Sequence, residues 1–388
     1  MIHTKNMNDT YKKVELVKPD FDSKLASLII ELERMREKKL GGTTQPSTFF
    51  QLKKIFHILE SVGSARIEGN NTTVAEYIEA KIEDNKRSKE ESILEIKNSE
   101  IAMDFIDDAL INSNKNVDRA FISDLHKIVT KNLSPEKEGS RNSGDYRKVP
   151  VTIKNSKHKP IDYIKVSDLM EELIDFINAE NEPKYDLLKT AIAHHRFAWI
   201  HPFDNGNGRV VRLFTYAMLV KYGFNVEAGR IINPTAVFCI DRNKYYDALS
   251  KADDFSDKSI LDWCEYVLLG LKREIEKIYK LADYRFLKTK ILLPSLDISL
   301  DRKIINDDEY KILKVAVEKQ IFQFSDISSL FPNISRVTLS RKISALKQKE
   351  MIMPQEKKSI KYVLCFNNKY LRRGVIEMLD KNGFLPVK

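Results

Sequence analysis

The feature that most constrains this chain is a glycine-rich turn, HPFDNGNGRVVR, at His201–Arg212. Apolar residues with helical spacing follow the turn and predict a helix that begins within it. Glycines let a backbone approach an anion closely, and the first N–H groups of a helix have no partners inside it. Arg209 and Arg212 are three positions apart, so both guanidinium groups can reach one side of a bound polyphosphate. The stretch therefore predicts a phosphate-binding site.

His201 opens this stretch and follows a predicted helix at 185–199, which places it beside the expected phosphate site. An imidazole titrates near neutral pH and can accept a proton from an attacking hydroxyl group. General base catalysis of this kind typically contributes a factor of about 10²–10⁴ in rate. His201 is therefore the candidate catalytic residue. The alternative is a polar loop that connects two helices and has no chemistry.

Position by position, the stretch resembles the signature of the Fic (Fido) family of nucleotidyl transferases, His-x-Phe-x-Asp/Glu-Gly-Asn-Gly-Arg-x-x-Arg. Seven residues match it at fixed spacing: His201, Phe203, Gly206, Asn207, Gly208, Arg209 and Arg212. The resemblance implies that ATP is the substrate and that His201 deprotonates the hydroxyl group of a target. It also implies that Asn207 and the N–H groups around Gly206 and Gly208 hold the α-phosphate. The two arginines would then neutralise the outgoing β- and γ-phosphates.

One position departs from this signature. The acidic residue that holds Mg²⁺ in the family is replaced by Asn205, and the nearest carboxylate is Asp204, one position earlier. An amide oxygen can coordinate a hard cation, but it binds more weakly than a charged oxygen. The resemblance therefore implies a Mg²⁺ cofactor with Asn205 and Asp204 as weak candidate ligands.

A second resemblance concerns the segment SARIEG, Ser64–Gly69, at the end of a predicted helix. Glu68 places a negative charge in the last turn, where the helix dipole is also negative, and Ser64 lies on the same face. The segment is similar to the inhibitory motif Ser/Thr-x-x-x-Glu-Gly/Asn of some Fic proteins. This similarity implies that Glu68 pairs with Arg212 and lets ATP bind only in an unproductive pose. The alternative is an ordinary surface glutamate at a helix end.

The region before the signature predicts a short β-hairpin, because 149–153 is β-branched and apolar and 160–164 follows it after a polar turn. In the Fic family a hairpin at this place, called the flap, lies over the active site and pairs with the target backbone by strand addition. The resemblance therefore implies a target protein bound along residues 146–160. Arg147 and Thr152 are expected near the nucleotide.

Two tyrosines beyond the signature match a family pattern in which a tyrosine lies near the adenine. Tyr245 is favoured over Tyr246 for this contact, since an aromatic face suits base stacking. Packing in the core is the alternative for either tyrosine. Asp253 is a further candidate neighbour of the nucleotide, whereas His194 and His195 are expected to pack inside the protein.

The tail carries all of the net positive charge. From Arg302 onward the sequence holds 18 lysines and arginines against 9 aspartates and glutamates, which equals the net charge of +9 of the whole chain. Three predicted helices and a hairpin in this tail look like a winged helix, whose third helix often enters the DNA major groove. That third helix, capped by Ser335, carries basic residues opposite its apolar face: Arg341, Lys342 and Lys349. Duplex DNA is therefore an expected partner, and a dimer or protein-docking module is the alternative.

A length of 388 residues predicts two or three domains, and the patterns favour a mainly α fold. We expect a helical region at 1–110 with an inhibitory helix near 61–69. A Fic-type core with its hairpin flap is expected at 111–288, and a winged helix at 289–388.

Composition and terminal sequence predict the compartment. The longest apolar runs are too short to span a bilayer, and the polar N-terminus lacks the apolar centre of a secretory signal. The three cysteines are far apart and form neither a disulfide framework nor a zinc site: Cys239, Cys264 and Cys365. We therefore expect a cytoplasmic protein with no membrane partner. A homodimer is also expected.

Together these patterns predict an enzyme that transfers AMP from ATP to a Tyr, Ser or Thr hydroxyl group of a target protein or of itself, autoinhibited by Glu68. The alternative is a transcription regulator in which the pocket only senses a nucleotide and the tail binds DNA. The presence of His201 favours the enzyme, because binding alone needs no base. Asn205 and the basic tail favour the regulator.

Overall fold

The computed structural model describes residues 12–37, 42–83, 90–113, 115–153, 158–224, 234–239, 241–357 and 359–385. Over these residues the protein is mainly helical, as the sequence predicts, with one small sheet. Its α-helices and β-strands in chain order are α1 Lys24–Glu37, α2 Pro46–Glu68, α3 Val74–Glu83, α4 Glu91–Asp107, α5 Arg119–Thr130, α6 Val166–Asn178, α7 Asp186–Ile200, α8 Asn207–Lys221, α9 Pro234–Cys239, α10 Arg242–Lys251, α11 Asp257–Ala282, α12 Tyr284–Phe286, α13 Leu293–Asp301, α14 Asp307–Lys319, β1 Ile321–Phe322, α15 Phe324–Ser328, α16 Arg336–Gln348, β2 Ile352–Pro354, β3 Tyr362–Leu364 and α17 Arg372–Lys381. Among the described helices, none has both the length and the apolar composition that a membrane crossing requires.

The central helix is α8, whose residues from Arg209 to Val220 are all buried, as expected for a helix surrounded by others. α7 packs along it, and α2, α4 and α5 also contact it. Apolar side chains of α5, α6, α7 and α8 form one core that includes Phe197, Phe203 and Phe214. This core holds the end of α7 beside the start of α8, where the signature residues lie.

The two halves of α2 pack differently. The first half contributes Phe49 and Phe56 to an apolar core that it shares with α14, α16 and α17. Gln51 also bonds to this C-terminal segment, because its Nε2 donates to the Leu364 carbonyl at 2.8 Å and its Oε1 accepts from the Phe366 N–H group at 2.7 Å. The last turn of α2 instead lies against α8. The single helix α2 thus connects the C-terminal segment with the signature residues. The domain boundaries expected from the sequence stay predictions.

The C-terminal segment runs in the order α14, β1, α15, α16, β2 and β3, and its antiparallel strands are arranged β1-β3-β2. Ser335 caps α16, as predicted, and the predicted inner face is buried: Leu339, Ile343 and Leu346. The predicted basic face is partly neutralised. Lys342 bonds to Asp308 at 2.8 Å, and Lys349 bonds to Glu309 at 2.6 Å. The acidic first turn of α14 therefore neutralises two of the three expected charges.

The predicted flap contains no strand among its described residues, 149–153 and 158–162. The buried guanidinium group of Arg147 gives the physical reason, because it donates to the carbonyl oxygens of Val149 and Ile161. A side chain thus takes backbone acceptors that a ladder of strand hydrogen bonds would use. The Arg147 guanidinium group is thus bound to backbone carbonyl groups, and its place beside the nucleotide stays a prediction.

Candidate active site

His201 follows the last turn of α7 in the left-handed backbone region, with φ of 53° and its N–H group bonded to the Phe197 carbonyl at 3.0 Å. A residue other than glycine keeps this conformation only when its surroundings hold it there. Arg147 supplies one such contact, since its Nε donates to the His201 carbonyl at 2.8 Å. Burial, with a smaller effect from His158, lowers the pKa of the His201 imidazole to about 4. The imidazole is therefore neutral near pH 7 and can accept a proton.

The turn after His201 is closed by the side chain of Asn207. Its Oδ1 accepts from the Phe203 N–H group and its Nδ2 donates to the Phe203 carbonyl, both at 2.9 Å. Gly206 precedes α8 with φ of 76°, a conformation that favours glycine. The Asn207 side chain, predicted to hold the α-phosphate, thus orders the turn instead. The first N–H groups of α8 have no helical partners and remain available to an anion.

His126 of α5 supports this turn, although the sequence patterns do not single it out. Its ring stacks on Phe203 with centroids 3.8 Å apart, and its Nδ1 accepts from the Gly144 N–H group at 2.8 Å. Its Nε2 lies 3.1 Å from the Asn205 carbonyl oxygen. Burial lowers the pKa of His126 to about 4, so the ring is neutral and donates from Nε2. In the sequence it resembles any buried residue of an amphipathic helix, so no signal could have found it.

Arg212 is bound by the end of α2. Its Nη2 lies 2.7 Å from Glu68 Oε1 and 3.0 Å from the Ser64 carbonyl oxygen, and its Nε donates to Ser64 Oγ at 2.8 Å. The Arg212 side chain is only 1% exposed. Burial alone would raise the pKa of Glu68, but Arg212 holds it below its usual value. We call the Glu68–Arg212 contact the α2–α8 ion pair; it joins the predicted inhibitory motif to the signature.

Gly208 makes the approach of Glu68 possible. A Cβ at position 208 would lie 2.1 Å from Glu68 Oε1, closer than any side chain permits. The glycine therefore leaves room for a carboxylate, or for another anion in its place, at the start of α8.

Arg209 differs from Arg212 because part of its guanidinium group is unused. Its Nη2 donates to the carbonyl of Glu138 at 2.7 Å and to its Oε2 at 3.0 Å. Its Nε and Nη1 have no hydrogen-bond partner among the described residues, although Glu95 Oε1 lies 3.6 Å from Nη1. Burial raises the pKa of Glu95 to about 7, and Asn70, just beyond α2, donates to its Oε2 at 2.8 Å. Buried donors without acceptors fit an anion such as a phosphate.

The two candidate metal ligands hold a neighbouring loop. Asn205 Nδ2 donates to two backbone carbonyl groups of the loop 137–141, at 2.7 and 2.9 Å, and its Oδ1 accepts from the Gly206 N–H group at 2.7 Å. Asp204 accepts from a hydroxyl group and a backbone N–H group of the same loop, at 2.5 and 3.0 Å. Asn205 is neutral, and both oxygens of Asp204 already serve the loop. These residues do not fit a Mg²⁺ site, and no step below depends on this ion.

The structure corrects the predicted adenine contact. Tyr245 is 2% exposed, its hydroxyl group lies 3.0 Å from His194 Nε2, and its ring packs near Trp263. Core packing, the alternative for this tyrosine, is therefore its role. The Tyr246 side chain is 40% exposed. Partial burial raises the pKa of its hydroxyl group; Glu68 raises this pKa and Arg212 lowers it, each by a smaller amount. Of the two tyrosines, Tyr246 has the ring that can meet a nucleotide.

Known proteins share this sequence pattern. Residues 116–219 match the model of the Fic/DOC family. The protein adenylyltransferase Fic of Aedes aegypti is 29% identical over 232 residues, which cover 57% of this chain and 43% of that protein. The protein of the same name from Culex quinquefasciatus is 30% identical over 204 residues, covering 52% and 37%. The chain therefore spans about two fifths of the length of these relatives.

Solved structures share the fold. A Fic family protein from Desulfovibrio desulfuricans G20 aligns with a TM-score of 0.53 and 19% identity, covering 88% of this chain and 94% of that one. A Fic domain containing signaling protein from Bacteroides thetaiotaomicron VPI-5482 aligns with a TM-score of 0.53 and 20% identity, covering 66% and 96%. Identities this low establish the fold alone. The chain thus carries a segment that matches the Fic/DOC family within a fold of the Fic type.

Proposed function

We propose that this protein transfers AMP from ATP to a tyrosine, serine or threonine hydroxyl group of a target protein or of itself. The observation that carries the proposal is a neutral His201 beside the start of α8, where Arg209 has unused donors. His201 takes the proton of the hydroxyl group, whose oxygen bonds to the α-phosphorus atom while the bond to pyrophosphate breaks. The matched relatives are named protein adenylyltransferases, which supports the same reaction.

The start of α8 is the proposed phosphate site. Its free N–H groups and the helix dipole favour an anion there, and Arg209 adds two buried donors. Tyr246 is the proposed neighbour of the adenine, because its ring is exposed. The target protein is proposed to lie along residues 146–160, where Val149 is 54% exposed. A homodimer and a cytoplasmic location stay predictions.

Autoinhibition by Glu68 is part of the proposal. The Glu68 carboxylate accepts a charge-assisted hydrogen bond from the buried guanidinium group of Arg212. The γ-phosphate would otherwise bind this guanidinium group. A γ-phosphate at Arg212 would meet this negative charge, so ATP would bind with its phosphates displaced from the position that His201 requires.

Transfer of label from ATP labelled in the α-phosphate tests the enzyme. The Glu68→Gly protein is compared with the Glu68→Gly/His201→Ala protein, both with ATP binding demonstrated separately. Label on protein that depends on His201 supports AMP transfer. No label in either protein, or equal label in both, would reject it and leave the nucleotide sensor.

A second candidate function belongs to the C-terminal segment, which we propose to be a winged helix that binds duplex DNA. The order helix–strand–helix–helix–strand–strand supports this. The outer face of α16 still carries exposed basic residues: Arg336, Arg341 and Lys347. Binding to duplex DNA should weaken steeply with salt, and Arg341→Ala should reduce the slope by about one if Arg341 meets a phosphate. No binding at low salt would favour a protein-docking module instead.

A further inference from the structure

The side chain of Asn70, just beyond Glu68 and Gly69, bonds the end of α2 to α4. Its Nδ2 donates to the Ser92 carbonyl oxygen and to Glu95 Oε2, both at 2.8 Å. Its Oδ1 accepts from the N–H group of residue 72 at 2.9 Å. Both donors of this amide are therefore used between two helices, while its acceptor orders the local turn.

The backbone of the same turn closes α2. Gly69 has φ of 104°, in the left-handed region that favours glycine, and its N–H group bonds to the Arg66 carbonyl oxygen at 3.1 Å. The Asn70 N–H group bonds to the Ala65 carbonyl oxygen, also at 3.1 Å. Glu68 is the last residue of the helix that these bonds close. A shift of Asn70 would therefore displace Glu68 as well, because both belong to one hydrogen-bonded turn.

The first turns of α4 lie between this turn and the phosphate site. The Glu95 side chain is 3% exposed, and its Oε1 lies 3.6 Å from Arg209 Nη1, whereas its Oε2 accepts from Asn70. Glu91, one helical turn earlier, accepts from the Ser134 N–H group at 2.6 Å and so holds the start of the loop that bonds to Arg209. α4 thus contacts both the turn after α2 and the surroundings of a phosphate ligand.

We propose that Asn70 is a positioning residue of the inhibitory contact: by joining the end of α2 to the first turns of α4, it keeps Glu68 on Arg212. Helix ends open more readily than helix interiors, and Glu68 lies in the last turn of α2. Opening of that turn takes the carboxylate out of hydrogen-bond distance of the guanidinium group. The proposal rests on the proposed function only for its effect on transfer, since the attachment itself involves no activity.

Asn70→Asp isolates the attachment to α4 from the local turn. The new side chain keeps the shape of asparagine and an oxygen for the N–H group of residue 72. It has no donor, however, and it places a charge against the Ser92 carbonyl oxygen and Glu95. Asn178→Ala is the matched control, because Asn178 ends α6 and its Nδ2 also donates to two backbone carbonyl oxygens.

Amide hydrogen exchange tests the attachment. Asn70→Asp should speed exchange of the amides at 67–69 at least about tenfold, because two buried hydrogen bonds are lost. Asn178→Ala should leave this exchange unchanged. Asn70→Asp/Glu95→Gln should slow it again, since the new glutamine amide can donate to the new aspartate. Unchanged exchange in Asn70→Asp would overturn the attachment; should that protein not fold, Asn70→Ala supports the same measurement.

The rate of label transfer tests whether the attachment acts through Glu68. Asn70→Asp should raise the initial rate at least about threefold in the otherwise unchanged protein, because Glu68 leaves Arg212 more often. In the Glu68→Gly background it should give no further increase, since the carboxylate that Asn70 positions is gone. Equal changes in both backgrounds would assign the effect to the phosphate site and contradict the role of Asn70.

Failure of this role and failure of the proposed function give different results. If neither Glu68→Gly nor Glu68→Gly/Asn70→Asp transfers label, the proposed function fails, while amide exchange still decides the attachment. If Glu68→Gly transfers label faster than wild type and Asn70→Asp does not, the proposed function stands and the role of Asn70 is overturned.

Discussion

Glu68 and Arg212 are 144 positions apart in the sequence, yet Glu68 Oε1 lies 2.7 Å from Arg212 Nη2. The contact joins the last turn of α2 to α8, and Ser64 adds two further acceptors for the same guanidinium group. Ser64 and Glu68 therefore bind the Arg212 guanidinium group for as long as α2 keeps this position.

Glu68→Gly should raise the initial rate of label transfer at least about tenfold, because a charge-assisted hydrogen bond typically contributes about 1.5–3 kcal/mol. The rate is measured with ATP labelled in the α-phosphate. Arg66→Gly is the matched control, since it places the same helix-weakening glycine in α2 but keeps the carboxylate. Equal increases in both variants would assign the effect to fraying of α2 and contradict the gate.

The two adjacent tyrosines should respond differently to substitution. Tyr246→Ala should raise the Kd for ATP about threefold to tenfold with little effect on stability, because its ring is exposed. Tyr245→Phe should leave the Kd unchanged and lower the free energy of unfolding by about 1 kcal/mol, because His194 Nε2 loses its partner. Calorimetry of ATP binding and denaturant unfolding measure the two effects. The reverse pattern would return Tyr245 to the adenine site.

Asn205→Asp should lower the free energy of unfolding by about 2–3 kcal/mol. The new carboxylate would face two carbonyl oxygens that now accept from Asn205 Nδ2. Denaturant unfolding measures the loss, and Asn142→Asp, at an exposed position nearby, should change stability far less. A variant of unchanged stability that gains Mg²⁺-dependent transfer would show that position 205 serves the ion, as the signature implies.

Glu95 should make stability depend on pH. Burial raises its pKa in the folded protein from 4.5 to about 7, so the folded state binds this proton more tightly than the unfolded state. The stabilisation is therefore complete below about pH 4.5 and is lost as the pH rises through about 7. The stability of wild type relative to Glu95→Gln should fall by about 2–3 kcal/mol between pH 5 and 8. A difference that stays flat over this range would show that Glu95 does not titrate there.

The sequence alone predicts the phosphate site because its residues are contiguous: a turn and a helix start are local structures. The contact between Glu68 and Arg212 is present as the resemblance implies, although nothing local connects the two residues. The sequence favours Tyr245 over Tyr246 for the adenine contact, yet the structure buries Tyr245, because only the packing of α10 decides which ring is exposed.

Other features depend on partners that are distant in the sequence. Arg147 donates to carbonyl groups that a flap hairpin would have used. The periodicity of the sequence does not predict such contacts between a side chain and the backbone. The sequence predicts that Lys342 lies away from the apolar face of α16, but its neutralisation by Asp308 depends on how α14 and α16 pack. The sequence likewise predicts that Asn205 is a weak metal ligand, whereas in the structure its side chain bonds to the loop 137–141.

The continuity of α2 has a mechanical consequence. Helix α2 has 23 residues without a break. Its first half packs into the C-terminal core through residues such as Phe49 and Leu52, and Glu68 is its last residue. At a rise of about 1.5 Å per residue, Glu68 lies roughly 24 Å beyond Leu52. A rotation of α2 by about 5° around Leu52 would displace Glu68 by about 2 Å, more than a hydrogen bond tolerates. Because α4 packs along the same helix, the C-terminal segment and α4 together set the angle at which α2 brings Glu68 to Arg212.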